Sequence, residues 1–542
     1  MSFKSLIIDK LSSSFPRIYI LLKSNNFNQA IDTIKGYNII KKNNLFDESF
    51  YLNKYEKLGN SNMDPLLHYI FFGFDEGKSP SPDFDGIFYL NYYDDVKKSD
   101  LNPLIHYSLY GLKKDRLCKF RPISNYNDYI DNNKKRILFV LHEKIGTSGG
   151  VSFTNLDIIE NILDKFQSFI LTSTGEEVEL WVKKDKLEKI GHWNISYSTD
   201  YSIIDFDNED VISGENFEDN LFNEELNNVY EEVLQSLNID ILHINHLINH
   251  SFDLIETSKK LNIPYVLNIH DFYYLCPSIH LLNSKYEYCN LECLNNNWGC
   301  GGLKLDDSSN LDGIIKTWRK YSLNLLNEAY LNIFPSKSTL DLYKKVYPDL
   351  DNVKIIEHGR DFNKIKPAYQ LPEKIPIKIA IPGHISLHKG SLLIKDIKNL
   401  DINNNLELHF LGTSIPLLKE YGINHGRYKR EEFNWIIQEI NPSFIAILST
   451  TPETYSHTLS ESWNCGIPVI ASNLGALRER INETGGGWLV DYRNPQKIHD
   501  KIIDISKNKE DYLDKVKNVS KIRFKSKKSM IDEYKEVYGR II

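Results

Sequence analysis

Short apolar runs alternate with helical patterns along most of this chain, and this alternation constrains the fold more than any other feature. Ten runs of this kind are bounded by polar or turn-forming residues. Each is long enough for a buried strand and too short for a buried helix. The runs are Arg136–Leu141, Asp240–Asn245, Pro264–Ile269, Tyr330–Phe334, Val353–Ile356, Ile377–Ile381, Leu406–Leu411, Phe444–Leu448, Val469–Ala471 and Trp488–Val490. Strands that alternate with helices predict a doubly wound sheet, with a ligand crevice at the carboxyl ends of the strands.

Composition narrows the class of protein. The chain has 542 residues, of which 41% are hydrophobic and 25% are charged, and this favours about three or four soluble globular domains. A net charge of −8, without a basic stripe that interleaves aromatics, argues against a nucleic-acid partner. No apolar run approaches the roughly 20 residues that span a bilayer, and the start of the chain lacks a signal-peptide pattern. We therefore expect a cytoplasmic location with reduced cysteines.

Residues 1–45 are expected to form a basic helical leader. This segment carries seven lysine and arginine side chains against only Asp9 and Asp32. A basic segment of this kind could lie peripherally on the anionic inner face of a membrane. It could equally be a solvated helical face, and the sequence leaves both interpretations open.

A repeat of 38 residues occupies residues 46–118, and a polar linker is expected over residues 119–134. The matched pairs include Phe46 and Phe84, Tyr51 and Tyr89, Pro65 and Pro103, His68 and His106, and Gly73 and Gly111. A constant separation marks a true internal repeat. Each copy predicts two short helices, the second opened by a capping residue and a proline at Asp64-Pro65 or Asn102-Pro103. The two histidines recur on apolar faces and are expected to be core residues.

The stretch Pro452–Ser472 places two glutamates around a strand–loop–helix junction. Glu453 lies in the predicted loop, and a short helix is expected from about Thr458 to Cys465. Gly466 stands where a helix C-cap glycine belongs, and the proline two residues later prevents any continuation. An alternative is a capping box, in which Glu461 only satisfies the backbone at the helix start. Glu453 could likewise be an ordinary solvated carboxylate.

Taken as a whole, the stretch Pro452–Ser472 resembles the Glu-x7-Glu and Gly-x-Pro-Val motifs of the retaining glycosyltransferases of family 4. The resemblance implies an α/β GT-B fold, with two Rossmann-like doubly wound domains facing a cleft. It also implies that Glu453 faces the transferred sugar as a catalytic residue and that Glu461 binds the ribose of the nucleotide. A glycosidase pair fits less well, because eight helical residues span about 12 Å against about 5–9.5 Å between hydrolase carboxyls.

The resemblance assigns further roles by position. Gly149 and Gly150 end a glycine-rich loop that is expected near the donor phosphates. His270 ends another strand and is expected to contact the donor sugar as a second catalytic residue, the alternative being a core imidazole bonded to Asp271. The helix N-terminus is expected to face the leaving diphosphate, because its N–H groups and dipole stabilise negative charge. The residues at that terminus are Ser456, His457 and Thr458.

The segment Gly383–Gly390 departs from the family pattern at one position. The family has Gly-Arg-x4-Lys-Gly there, and the resemblance carries nucleotide-sugar binding to Gly383, His384 and Lys389. His384 stands in place of the arginine. A neutral imidazole offers one hydrogen-bond donor where a guanidinium offers five, which puts donor affinity or the pH range of activity in doubt.

Four cysteines lie close together in sequence. They are Cys276, Cys289, Cys293 and Cys300. Their spacing differs from the paired C-x2-C of zinc ribbons, so structural zinc and unligated thiols both remain open.

The predicted organisation combines these segments. The repeats resemble tandem repeats fused to bacterial surface-polysaccharide glycosyltransferases, which suggests a binding or tethering role. An acceptor-side GT-B domain is expected at 135–365, a nucleotide-sugar-binding domain at 366–525 and a crossover helix at 526–542. The predicted function is retaining transfer from a UDP- or GDP-linked sugar to a glycan or lipid-linked acceptor in surface-polysaccharide or glycoconjugate synthesis, without a required metal. The alternatives are a glycan-binding scaffold with a degenerate GT-B domain and a nucleotide-sugar epimerase.

Overall fold

The computed structural model describes eleven parts of the chain. They are residues 12–24, 26–55, 63–114, 116, 118, 126–145, 150–199, 217–283, 287–295, 311–362 and 369–542. The chain divides into two compact units, one of residues 1–198 with 223–263 and the other of residues 199–222 with 264–542. In the described ranges, no helix combines the length and apolarity needed to cross a membrane.

The first unit begins with a helical module. Its helices are α1 (Pro16–Lys23), α2 (Phe27–Lys42), α3 (Glu48–Lys54), α4 (Pro65–His68), α5 (Gly86–Tyr92), α6 (Asp94–Lys97) and α7 (Pro103–His106). Helices α4 and α7 continue as π-helical turns over Tyr69–Gly73 and Tyr107–Gly111. Asp47 and Asp85 cap α3 and α5 by accepting hydrogen bonds from the third backbone N–H beyond each cap. Both predicted helices are therefore present in each copy of the repeat, and the second copy adds the short helix α6 between them.

One packing motif explains why tyrosine, histidine and glycine recur together. The Tyr51 hydroxyl lies 2.9 Å from Nδ1 of His68, and the Tyr89 hydroxyl lies 3.2 Å from Nδ1 of His106. A Cβ atom at Gly73 would lie only 2.1 Å from the Tyr51 oxygen. Both histidines are thus hydrogen-bonded residues of the module core, as the sequence predicts.

A five-stranded part of a sheet completes the first unit. Its strands are β1 (Lys135–Leu141), β2 (Phe166–Ser173), β3 (Val178–Lys183), β4 (Leu187–Trp193) and β5 (Ile241–Ile244), in the order β4-β3-β2-β1-β5. Strand β1 pairs in parallel with β2 and β5, whereas β2–β3 and β3–β4 are antiparallel. The helices are α8 (Gly150–Asn161), α9 (Glu224–Ser236) and α10 (Asp253–Lys260). The sequence predicts β1 and β5, and the structure adds the other three strands.

A buried ion-pair cluster joins the second repeat to this sheet. Lys189 of β4 pairs with Asp85, which caps α5, and with Glu179 of β3 at 2.6 Å. The Lys189 and Glu179 side chains are only 2% and 3% exposed. Because a lysine without partners would be costly at this depth, the three residues hold the repeat module in place as a unit.

The second unit contains two groups of parallel strands. The first comprises β6 (Tyr265–Asn268), β7 (Leu331–Phe334) and β8 (Val353–Ile355), with α11 (Leu311–Glu328) and α12 (Lys337–Val346). The second is a six-stranded sheet of β9 (Ile377–Ile385), β10 (Leu406–Ser414), β11 (Ile423–Gly426), β12 (Phe444–Ile447), β13 (Val469–Ser472) and β14 (Gly487–Val490). Its helices are α13 (Ser391–Leu400), α14 (Phe433–Ile440), α15 (His457–Asn464), α16 (Gly475–Thr484), α17 (Pro495–Lys507) and α18 (Lys509–Lys521), and α19 (Lys527–Ile541) follows.

The order of the six-stranded sheet determines where a ligand crevice can form. The strands run β11-β10-β9-β12-β13-β14, and every neighbouring pair is parallel. Alternate residues of β9 fill opposite cores, with Ile379 in one cluster and Ala380 in the other. The connections that leave β9 and β12 run in opposite directions along the sheet. Loops at the carboxyl ends of these two strands therefore flank a topological switch point.

Helix α19 packs back on the strands that open the second unit. The Tyr534 hydroxyl donates to the side-chain oxygen of Asn268 at 3.1 Å, and the Gly359 backbone N–H faces the Met530 sulfur at the same distance. A Cβ atom at Gly359 would lie 2.3 Å from the Ser526 carbonyl oxygen. This close approach fixes the segment that carries Arg360.

Candidate functional site

The candidate site lies in the second unit, where β9 and β12 end. Glu453 follows β12, and Lys389 follows β9; Lys389 Nζ lies 2.6 Å from Glu453 Oε1. The Ser449 hydroxyl donates to the same carboxylate oxygen. Burial raises the pKa of Glu453, but the charge of Lys389 and these hydrogen bonds outweigh it, so the pKa lies below the ordinary range. Glu453 is thus a largely buried, ionised carboxylate, with 13% of its side chain exposed, rather than a solvated loop residue.

Two glycines bring this loop into place. Gly475 begins α16 with a φ of +48°, and a Cβ atom there would lie 2.6 Å from the Glu453 carbonyl oxygen. The Ala476 backbone N–H donates to the same oxygen at 2.9 Å. Gly390 has a φ of +84°, and a Cβ atom there would lie 2.0 Å from the Leu448 carbonyl oxygen. Only glycine combines these conformations with such close backbone contacts.

Glu461 lies on α15 and faces two arginines. It forms an ion pair with Arg360, and Arg430 Nε lies 3.9 Å from the same carboxylate oxygen. The residue is only 8% exposed. Helix α15 begins after Ser456, which has a φ of +70° and makes no side-chain cap hydrogen bond. The carboxylate of Glu461 therefore has cationic partners, which the capping-box alternative does not account for.

Arg480 shapes the turn that precedes α15. Its Nη1 donates to the carbonyl oxygens of Tyr455 and Ser456, both at 3.0 Å, and its Nη2 donates to the Ser460 hydroxyl at 2.7 Å. Its guanidinium also lies 4.1 Å from the centroid of the Tyr455 ring. This arginine fixes the start of the helix, where N–H groups and the helix dipole favour an anion.

Three imidazoles form a column beside the helix start. The rings of His270 and His358 are 6.2 Å apart and nearly parallel, and His358 stacks on His457 at 4.8 Å. Burial, followed by the charges of Arg430 and Arg360, lowers the pKa of His457 to about 3. The Thr454 hydroxyl donates to the His270 carbonyl oxygen at 2.7 Å, which ties His270 to the Glu453 loop.

A second pair of imidazoles lies on the Lys389 side. His280 stacks on His388 at a centroid distance of 4.0 Å. Burial, with the charges of His280 and Lys389, lowers the pKa of His388, so this ring is neutral. His384 is exposed, and its Nδ1 contacts the Thr413 hydroxyl.

The structure brings most of the predicted site residues into this region. Around the start of α15, the Ser456 and Thr458 hydroxyls are 3.1 Å apart, and a Cβ atom at Gly383 would lie 4.0 Å from the Thr458 methyl group. Gly149 lies outside the described residues, and Gly150 is the first residue of α8 in the first unit. The sequence analysis missed Arg360, Arg430 and Arg480, because no motif or spacing connects these arginines to the two glutamates.

The described residues do not assemble the predicted zinc ligands. Cys276 contacts the Ser278 hydroxyl at 3.3 Å, and Cys293 accepts a hydrogen bond from Arg319 at 3.1 Å. Burial raises the pKa of Cys289 to about 12, which favours the protonated thiol. In the described ranges, the one group with three candidate ligand atoms within 4.8 Å is Glu177, Glu179 and His192. Cys300 lies outside these ranges, and structural zinc stays a prediction.

The Glu177, Glu179 and His192 group is an ion-pair network. Lys144 lies 2.5 Å from Glu177, and Lys189 lies 2.6 Å from Glu179. His192 also contacts Glu177, at 2.9 Å. Both carboxylates of this group are thus already paired with lysine ammonium groups.

Comparisons with known proteins give partial matches to this chain. Residues 361–522 match the family model described as Glycosyl transferases group 1. A putative colanic acid biosynthesis glycosyl transferase, WcaC of Escherichia coli (strain K12), is 25% identical over 164 residues. That match covers 28% of this chain and only 38% of WcaC. The N-acetyl-alpha-D-glucosaminyl L-malate synthase of Bacillus anthracis is 21% identical over 322 residues, which cover 57% of this chain and 77% of that enzyme.

Two further matches come from comparisons with solved structures, and the first of them is similar in fold. Sucrose-phosphate synthase from Thermosynechococcus elongatus has a TM-score of 0.51 at 13% identity, covering 75% of this chain and 99% of that chain. Anabaena HepE, solved in complex with UDP, has a TM-score of 0.49 at 15% identity, covering 75% of this chain and 100% of that chain. The chain therefore has the GT-B fold, and its residues 361–522 carry a glycosyl transferases group 1 domain.

Proposed function

We propose that this chain is a retaining glycosyltransferase that moves a sugar from a UDP- or GDP-linked donor to a glycan or lipid-linked acceptor. The observation that carries the proposal is the pairing of two buried carboxylates with fixed cations around one helix N-terminus. Glu453 binds Lys389, and Glu461 binds Arg360. A nucleotide sugar needs the same elements, namely acceptors for sugar and ribose hydroxyls and positive charge for a diphosphate.

Each residue then has a separate task in the proposed reaction. Glu453 accepts hydrogen bonds from the transferred sugar, and Glu461 exchanges Arg360 for the ribose hydroxyls when the donor binds. Lys389 and the start of α15 stabilise the negative charge that develops on the leaving diphosphate. His270 contacts the donor sugar, and the neutral His457 donates or accepts a hydrogen bond without repelling the arginines. Fixed cations thus do the work that a metal does in other transferases, so none is required.

The arginines offer a reason why His384 can replace the family arginine. Arg360 and Arg430 both approach Glu461 and both lower the pKa of His457. When the ribose of the donor displaces Arg360 from Glu461, the guanidinium of Arg360 can turn to the donor diphosphate and form bidentate hydrogen bonds with it. His384 would then contribute little to donor affinity.

The test is the rate of nucleotide release from UDP- and GDP-sugars in the presence of lipid-linked and glycan acceptors. Glu453→Gln should reduce the rate on the order of 10²–10³-fold while donor binding persists, and Glu461→Ala should abolish donor binding. His384→Ala, a matched change in the same unit, should alter donor affinity less than about threefold. Product analysis by NMR should show retained anomeric configuration.

A scaffold remains the second candidate because of one specific observation. His384 replaces the arginine expected in the resembled motif, and its ring contacts Thr413. A scaffold predicts full biological activity for Glu453→Gln, whereas a transferase predicts its loss. An epimerase would convert the sugar within the nucleotide sugar without any acceptor.

The leader supports a proposal of peripheral contact with the inner face of the membrane, for a protein located in the cytoplasm. Leu22 and Phe27 are 72% and 71% exposed, and Arg17 and Lys23 lie on the same short segment. Exposed apolar side chains with neighbouring cations are typical of interfacial helices. Sedimentation with phosphatidylglycerol vesicles tests this contact, and Leu22→Glu should reduce the bound fraction at least tenfold. Equal binding to neutral phosphatidylcholine vesicles would contradict the electrostatic part of the proposal.

A further inference from the structure

The second repeat carries an open cavity that lies far along the chain from the glutamate motif. Its volume is about 530 Å³, within the range of small-molecule sites. One wall is formed by α2, with Asn28 and Asp32, and the other by Asp95, His106 and Tyr110 of the second repeat. All of these residues belong to the first unit.

The two repeats differ in the exposure of one aromatic side chain at this cavity, and this difference points to a ligand. Tyr110 corresponds to Phe72 of the first repeat. The Phe72 ring is half-buried, and the Lys23 ammonium covers it at 5.4 Å. Tyr110 is 43% exposed, and no lysine or arginine of the described ranges lies over its ring. The ring is held against His106 at a centroid distance of 4.9 Å. The second repeat therefore holds the Tyr110 ring in a fixed, exposed position, whereas Lys23 covers the equivalent Phe72 ring of the first repeat.

The charge of the lining restricts the kind of ligand. Three aspartates and one lysine line the cavity, and burial lowers the pKa of His106, so this histidine is neutral. Arg116 holds Asp95 through two hydrogen bonds of 2.9 and 2.7 Å, which orients the carboxylate. Because Asp95 pairs with Arg116 and Asp32 lies 3.5 Å from Lys35, cations balance most of the carboxylate charge of the lining. Neutral ligands with many hydroxyl groups suit such a lining.

We propose that this cavity binds a neutral carbohydrate. One sugar ring lies on the Tyr110 face, while Asp32 and Asp95 accept hydrogen bonds from its hydroxyls and Asn28 donates and accepts others. An aromatic face pairs well with the C–H side of a sugar ring, and carboxylates accept two hydroxyl donors at once. The site goes beyond the proposed transfer reaction, because it uses none of the residues around Glu453 and Glu461.

The experiment uses the full chain and a printed array of short neutral oligosaccharides of hexoses and N-acetylhexosamines. Any oligosaccharide bound is then titrated in solution by calorimetry. Tyr110→Ala should weaken binding about tenfold, Tyr110→Phe should retain it, and Asp32→Ala should weaken it. Trp435→Ala, which removes another exposed aromatic side chain, is the matched control and should bind normally.

Two further measurements separate this site from the proposed transferase site. Binding should persist in Glu461→Ala, so loss of donor binding there leaves the carbohydrate proposal intact. No binding to any oligosaccharide on the array, or equal binding by Tyr110→Ala, would overturn the proposal. Binding of spermidine or inorganic phosphate instead of neutral sugars, abolished by Asp32→Ala, would also overturn it.

Discussion

Gly475→Ala is expected to disturb Glu453 without touching its side chain. Both the positive φ and the close carbonyl of Glu453 oppose a Cβ atom at this position. The φ alone costs about 1–2 kcal/mol. A Cβ atom 2.6 Å from the Glu453 oxygen must also retreat by about half an ångström, which adds about 1–3 kcal/mol of overpacking.

Gly485→Ala is the matched control at the other end of α16. Its φ is +65°, and its Cβ atom would meet the side-chain nitrogen of Asn518 at 3.0 Å. That side chain can rotate, whereas a backbone carbonyl cannot. We therefore expect about 1–2 kcal/mol for Gly485→Ala and about 2–5 kcal/mol for Gly475→Ala.

The assay combines denaturant unfolding with nucleotide release. Gly475→Ala should also lower the rate of sugar transfer by about 10²-fold, because displacement of a reacting group on the ångström scale costs about that much. Gly485→Ala should keep the wild-type rate. Equal stability costs for the two variants, or a normal rate in Gly475→Ala, would refute the reasoning that Gly475 positions Glu453.

Three further predictions concern stability. Arg360→Ala should cost about 2–3 kcal/mol in a denaturant unfolding experiment, because Glu461 stays buried and Arg430 is its one remaining ion-pair partner in the described ranges. Glu461→Gln in the same variant should recover most of the loss, and no recovery would contradict the pairing. His457 has a folded-state pKa of about 3 against about 6.5 when unfolded, so the unfolded chain binds the proton first and stability should fall by about 1–2 kcal/mol between pH 7 and 5. His457→Asn should flatten that dependence, whereas the same change at the exposed His384 should not. Gly73→Ala should cost about 1–3 kcal/mol, and Tyr51→Phe should recover most of it, since the next atom lies 3.4 Å away; thermal unfolding of the single and double variants tests this.

Most parallel strands could be predicted from sequence because burial on both faces leaves continuous apolar runs. β12 and β13 are of this kind, and their predicted bounds differ from the structure by one residue. The parallel strands β2 and β11 were missed, because β2 interrupts its apolar residues with Gln167 and Ser168 and β11 is exposed along its length. β3 and β4 were missed because they form an antiparallel extension that contains charged residues such as Glu179 and Lys189. Their charges are satisfied only by tertiary ion pairs, which no local pattern reveals.

The candidate site was predictable only as far as its residues lie in motifs. Glu453 and Glu461 share one stretch of sequence, and Lys389 stands in a recognisable glycine-rich segment. Arg360 reaches Glu461 across about a hundred residues, through the packing of Gly359 against α19. This kind of contact depends on the assembled fold, so the sequence contains no signal for it. The departure at His384 was visible in the sequence, but the arginines that could compensate for it were not.

The most direct test of the central claim is thermal stabilisation of the purified chain by a panel of UDP-, GDP-, ADP-, CMP- and dTDP-sugars. A donor at 100 times its dissociation constant should stabilise the fold by about 2.7 kcal/mol. The proposed site predicts a shift confined to one nucleotide, UDP or GDP, that disappears in Glu461→Ala and persists in Glu453→Gln. No shift with any donor, or an undiminished shift in Glu461→Ala, would contradict a nucleotide-sugar site at the start of α15.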